Sequence, residues 1–200
     1  GLLVRPSHVD SVPPAKFVLN LDAGRAFGTG SHNTTYGCLM VLQKLAFAPR
    51  RIVDIGTGSG LLAIAAAKLF RDAHIVASEI DSRALEVADY NFNRNGVTIE
   101  SVVADGWRSP ALRNGAPFDL IIENLLYRPL QRLSAETASR LVPGGRLILA
   151  GLLSGQDRPL LQAYRRLGLV LEARSRDPEW PCLMLRKPFG RMPFRGLRTI

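Results

Sequence analysis

The sequence predicts an α/β fold: a doubly wound, mostly parallel sheet of seven strands with helices on both faces and an antiparallel last strand. Three observations carry this. From residue 51 onward, strand-like and helix-like patterns alternate, the mark of a parallel sheet joined by helical crossovers. Segments such as "DLIIENLL" and "RLILAGLL" are nearly continuous apolar runs, as suits strands covered on both faces. The last two strand candidates are joined by "SRDPEWP", too short for a crossover helix, so that pair is expected to run antiparallel.

Along the chain, "KFVLNLD" reads as a short strand after Pro6, Pro13 and Pro14, and "AGRAFGTGSHNTT" as a loop rich in glycine and hydroxyl residues. "TTYGCLMVLQKLA" has helical spacing through Cys38, Leu39, Leu42 and Leu45, with Asn33 or Thr34 as its cap. Strands are expected at 51–55, 74–79, 99–104, 118–123, 145–151, 169–175 and 182–187. Helices are expected at 60–70, 82–94, 127–141 and 156–167, with a weaker one near 107–113. Asn95-Gly96 stops the helix over 82–94, and Pro143-Gly144-Gly145 is expected to stop the one over 127–141. The expected organisation is a linker over 1–20, one domain over 21–187 and a basic tail over 188–200.

Two hundred residues with 46% hydrophobic and 22% charged content are enough for one domain with a substantial core. No apolar run reaches membrane-spanning length and residues 1–20 lack the layout of a signal peptide, so a cytoplasmic protein with no membrane partner is expected. Cys38 and Cys182 are too few for a disulfide framework. His8, His32 and His74 have no cysteine or acid at zinc-site spacing, so no metal is expected. The net charge is +9, and Arg186, Lys187, Arg191, Arg195 and Arg198 follow one another without an intervening acid. Such a tail either meets RNA or a ribonucleoprotein, or stays a solvated end.

The chemistry-bearing stretch is "VDIGTGSG". Three glycines where a strand hands over to a helix leave bare backbone at the carboxyl edge of a parallel sheet, which is where ligands bind in such folds. The alternative is a tight turn with no ligand. Glu79 ends the next strand, nineteen residues beyond Gly60, where an acid can accept hydrogen bonds from both hydroxyls of a ribose. A nicotinamide cofactor and S-adenosylmethionine (SAM) both carry such a ribose. Asp105, ending the following strand in "VVADGW", is placed to meet the amine of an adenine, or else caps a turn. Asp54, before the glycines, and Ile80, after the acid, complete this candidate lining with Gly56, Gly58 and Gly60. Nothing corresponds to a P-loop lysine, and Ser59 in "GTGSG" is not in a nucleophile elbow.

Three segments make the chain resemble the class I SAM-dependent methyltransferases and, among them, the PrmA ribosomal-protein methyltransferases. They are "LDAGRAFGTGSHNTT", "VDIGTGSGLLAIAAAKL" and "DLIIENLLYRPL", and the similarity runs from about residue 4 to 187. It starts within what corresponds to the end of the family's interdomain linker, so only the family's catalytic part is expected here. The resemblance implies a Rossmann-like class I methyltransferase fold, SAM as cofactor and a ribosomal protein as substrate. It also implies that Phe27, Gly28, Thr29 and Thr35 approach the cofactor from a lid loop, that Gly56 lies under it and that Glu79, in place of a usual aspartate, holds its ribose. Asn124 would stand beside the methyl group and the acceptor. "NLLY" also shares its Asn-x-x-Tyr spacing with the NPPY motif of N-methyltransferases acting on adenine and glutamine.

A lysine acceptor must lose its proton, and an apolar pocket lowers its pKa. Glu123 and Tyr127 are the candidate helpers. The expected function is protein N-methyl transfer to lysine or amino groups. The alternatives kept open are an RNA or small-molecule N-methyltransferase, an NAD-dependent oxidoreductase and a non-catalytic SAM-binding module.

Overall fold

The computed structural model of the chain describes residues 1–6, 9, 13–22 and 33–190. Strands β1 (Leu2–Pro6) and β2 (Phe17–Leu21) pair in parallel as a separate ribbon. Helix α1 (Asn33–Gln43) follows. Then come β3 (Arg51–Ile55), α2 (Leu61–Leu69), β4 (His74–Glu79), α3 (Ser82–Asn95), β5 (Glu100–Val103) and α4 (Pro110–Gly115). The second half holds β6 (Phe118–Asn124), α5 (Tyr127–Arg140), β7 (Leu141–Ala150), α6 (Asp157–Arg166), β8 (Val170–Arg174) and β9 (Leu183–Arg186). Among the described residues, no helix is long and apolar enough to cross a membrane.

The main sheet has seven strands in the order β5-β4-β3-β6-β7-β9-β8. Strands β3 to β7 are parallel throughout, while β9 is antiparallel to both β7 and β8. The short β8–β9 connection forces this reversal: β9 turns straight back and slots between β7 and β8.

Successive residues of the central strands face opposite layers. Ile52, Leu120, Ile122 and Ile148 pack against α1, α2 and α3 through Leu42, Leu61, Ile64 and Phe92. Val53, Ile121, Leu147 and Leu149 pack on the other side with Leu112, Leu130, Leu133, Leu160 and Tyr164 of α4, α5 and α6. Each such buried aliphatic side chain contributes about 1.5–3 kcal/mol relative to exposure. Cys38 of α1 and Cys182, just before β9, lie side by side as free, fully buried thiols with Sγ atoms 3.9 Å apart. Their mutual hydrogen bond and burial push the Cys38 pKa well up.

One expected stop signal does something else. Helix α5 ends at Arg140, and Pro143-Gly144-Gly145 lies inside β7. The register jumps there from Phe118↔Leu141 to Leu120↔Arg146. The extra residues form a bulge stitched to the segment after β9 by Gly144 N–H to Lys187 O (2.6 Å) and Lys187 N–H to Gly145 O (3.0 Å). The end of α5 is capped from a distance: Lys187 Nζ donates to Ala138 O (2.9 Å) and Leu141 O (2.7 Å). Gly96, in contrast, does close α3 in the left-handed conformation, with φ +60°.

Candidate active site

Strand order reverses between β3 and β6, so the crossovers on either side diverge and leave a crevice at the carboxyl ends of these strands. A cavity of about 450 Å³ lies there, within the range of about 300–1,000 Å³ usual for small-molecule sites. Its floor is the turn from Gly56 to Ser59 and the start of α2. Glu79 closes one side, Thr34 and Thr35 of α1 another, and Asn124, Leu125, Leu126, Gly151 and Trp180 the rest.

Gly56, Gly58 and Gly60 have φ values of +72°, +54° and +83°, where a β-carbon is strained. The turn is pinned to β4 by Gly56 and Thr57 N–H groups donating to Ser78 O (2.8 and 2.9 Å). It is pinned from below by Asp54, whose carboxylate accepts from the Thr57 hydroxyl (2.7 Å). Burial pushes the Asp54 pKa up to about 7, while the bonds from Thr57 and the Ala63 N–H pull it down and the charge of Glu79 adds a smaller push upward. A β-carbon on Gly56 would come within 2.3 Å of Leu125 Cδ2, and one on Gly60 within 2.5 Å of Phe92. The glycines thus serve close packing of the protein as well as the cavity: Gly56 and Gly58 line it, whereas Gly60 faces α3.

Glu79 Oε2 accepts from Gly58 N–H (3.0 Å), and Oε1 accepts from the N–H groups of Ile80 (2.8 Å) and Asp81 (3.3 Å). A carboxylate has about four acceptor positions, so room remains for a sugar hydroxyl. Asn124 Nδ2 donates to Thr35 Oγ1 (3.3 Å) across the cavity wall. This bond ties the end of β6 to α1 at the cavity.

Other sequence candidates lie elsewhere. Glu123 is turned to the opposite side of β6 from Asn124, as strand alternation requires. It is fully buried beneath α5 and α6, where Thr137 Oγ1 (2.6 Å) and Tyr164 OH (3.4 Å) donate to it. Trp107 Nε1 donates in turn to Thr137 (2.9 Å). Burial raises the Glu123 pKa to about 7, against the lowering effect of these two hydroxyls. Tyr127 packs on the α5–α6 side of the core. Asp105 is held by Arg132 (2.6 Å) and Arg108 (3.2 Å) outside the cavity lining. Ile80 is 65% exposed beside Glu79 and likewise does not line the cavity. Phe27, Gly28 and Thr29 lie outside the described residues.

Several lining residues had no sequence signal strong enough to single them out. Leu125, Leu126 and Trp180 look like ordinary apolar residues. Gly151 could have been found as a glycine at a strand end: its φ is +82°, and a β-carbon there would sit 2.3 Å from Leu125 O.

A family model described as ribosomal protein L11 methyltransferase (PrmA) matches residues 1–188. A ribosomal protein L11 methyltransferase from Bradyrhizobium diazoefficiens is 41% identical over 190 residues, covering 92% of this chain and 64% of its own length. One from Rhizobium johnstonii is 45% identical over 167 residues, covering 81% of this chain and 57% of its own. The chain thus spans about six-tenths of the length of the curated relatives it matches. Among solved structures, a ribosomal protein L11 methylase from Lactobacillus delbrueckii subsp. bulgaricus matches with a TM-score of 0.82 at 28% identity, covering 94% of each chain. A methyltransferase from Pyrococcus furiosus shares the fold, with a TM-score of 0.61 at 20% identity, over 75% of this chain and 81% of its own.

Proposed function

The chain belongs to the ribosomal protein L11 methyltransferase (PrmA) family, and from that premise we propose that it is a SAM-dependent N-methyltransferase acting on lysine or amino groups of a ribosomal protein. The observation that carries this reading is the Asn124–Thr35 bond over a cavity that also holds Glu79 and the glycine turn. The residues fit the cofactor: Gly56 and Gly58 offer close backbone, Glu79 retains acceptor capacity for a ribose hydroxyl, and Thr35 borders the side from which Asn124 reaches in. When bound, SAM supplies an electrophilic methyl on a sulfonium.

The chain's own residues would prepare the acceptor. A free lysine amine has a pKa near about 10.4 and is mostly protonated at neutral pH. Leu125, Leu126 and Trp180 line the cavity with apolar surface, which disfavours the ammonium form. Asn124 Oδ1 accepts an N–H from the neutral amine and so aims its lone pair inward. Positioning of this kind supplies about 7–11 kcal/mol in well-aligned systems, without a dedicated base. The buried placement of Glu123 supports a structural task for it rather than proton transfer.

Calorimetry with SAM, its demethylated product and NAD, followed by labelled methyl transfer to ribosomal proteins, tests the proposal. SAM binding with label in protein is expected. NAD binding in place of SAM, or label appearing only in RNA or metabolites, overturns it. A ribosomal substrate would place the protein in the cytoplasm. Contact with RNA through the basic tail is a separate proposal, since residues 191–200 lie outside the described structure; salt-dependent RNA binding should vanish when residues 188–200 are deleted.

A further inference from the structure

Helix α3 buries a stripe formed by Leu85, Ala88, Asn91, Phe92 and Asn95. The spacing from 88 to 95 is that of one helical face, yet two of its members are amides, and a buried amide is costly unless its partners are supplied. Both are supplied by backbone. Asn95 Oδ1 accepts from Asn20 N–H (2.8 Å), and its Nδ2 donates back to Asn20 O (2.7 Å) and to Asn91 O (2.7 Å). Asn91, with no exposed surface, accepts from Asp22 N–H (2.8 Å) and donates to Asp22 O (2.8 Å). Two side-chain amides, one turn apart, therefore grip the end of β2 as a neighbouring strand would.

Asn91 differs from Asn95 in one respect. Its second Nδ2 hydrogen is given to Ser59 O (2.9 Å), in the middle of the glycine turn. Beside it, Phe92 and Ala88 fill the space that a β-carbon on Gly60 would need. We propose that Asn91 is a positioning residue for the cofactor site: one buried amide ties the floor of the cavity to the point where the chain leaves β2 for the segment that returns as Thr34 and Thr35. The turn at 56–60 and the end of β2 are thereby set against a common support on α3. This rests on the SAM-binding reading for its functional consequence, but the mechanical link does not.

Asn95 provides an internal control, because Asn95→Ala removes the same kind of grip on β2 without touching the turn. Urea midpoints, SAM dissociation constants and hydrogen exchange of the peptide over 56–62 would be measured for the wild type, Asn91→Ala and Asn95→Ala. Both variants should lose stability. Only Asn91→Ala should speed exchange in the turn and weaken SAM binding, by about tenfold, the factor one net hydrogen bond of this strength carries. Asn91→Ser, which is uncharged and too short to reach both Asp22 and Ser59, should behave like Asn91→Ala in the turn and serves where the alanine variant does not fold. Equal exchange and equal affinity in the Asn91 and Asn95 variants overturn the proposal. If wild type binds no SAM, the functional reading fails, and exchange in the apoprotein still decides whether the link exists.

Discussion

Replacing Glu123 with glutamine isolates the cost of an ionisable group sealed beneath two helices. Burial raises the folded-state pKa from the ordinary 4.5 to about 7. Between those values the native protein holds a proton that the unfolded chain has released, so wild-type stability falls as pH rises through the window and levels off above about 7. The full penalty is about 3 kcal/mol, and most of it develops between pH 5 and pH 8. Glutamine keeps an acceptor for Thr137, fills nearly the same volume and never ionises. Glu123→Gln should therefore gain most of that penalty on the wild type over that pH interval, a shift in urea midpoint of about 1 M at the m-values of domains this size. Urea titrations followed by tryptophan fluorescence at the two pH values measure it. Asp54, whose pKa is also about 7, contributes the same slope to both proteins and cancels in the difference. Parallel stability curves for wild type and variant across the interval, or a variant less stable at pH 8, would refute an ionisation penalty at this site.

Other substitutions separate the site from its scaffold. Asn124→Ala should lower methyl-transfer turnover by about a hundredfold, the scale of a misplaced acceptor, while calorimetry shows SAM affinity nearly unchanged. Thr35→Val releases the Asn124 amide without opening a cavity; turnover should fall by about tenfold, the worth of one orienting hydrogen bond, read in the same assay. Gly151→Ala forces a β-carbon against the Leu125 carbonyl, at a position with φ +82°. Strain alone costs about 1–2 kcal/mol, so both the urea midpoint and SAM affinity should drop. Ser78 Oγ is buried with no hydrogen-bond partner among the described residues, so Ser78→Ala should raise stability by about 1 kcal/mol in urea titrations.

Local pattern sufficed wherever the physics is local. The strand and helix alternation from residue 51, the Asn95-Gly96 helix stop and the glycine turn at a strand end depend on a few neighbouring residues, and each stands in the structure close to where the sequence puts it, whereas β1 falls in the stretch expected to be linker. The resemblance of the AFGTG and glycine segments to PrmA enzymes was equally legible, and the family match covers residues 1–188. Even the opposed facing of Glu123 and Asn124 follows from the two-residue repeat of a strand.

What tertiary structure alone decided are partnerships between distant parts of the chain. Pro143-Gly144-Gly145 became a bulge because the backbone at Lys187 offered it hydrogen bonds. Asp105, at the end of a strand, meets Arg132 from α5, a partner 27 residues away in sequence. Asn91 reads as one polar residue in a polar stretch until β2 and the glycine turn arrive on either side of it. Sequence periodicity reports which face of an element is buried, whereas the partner that satisfies a buried polar group is chosen only when the layers close around it.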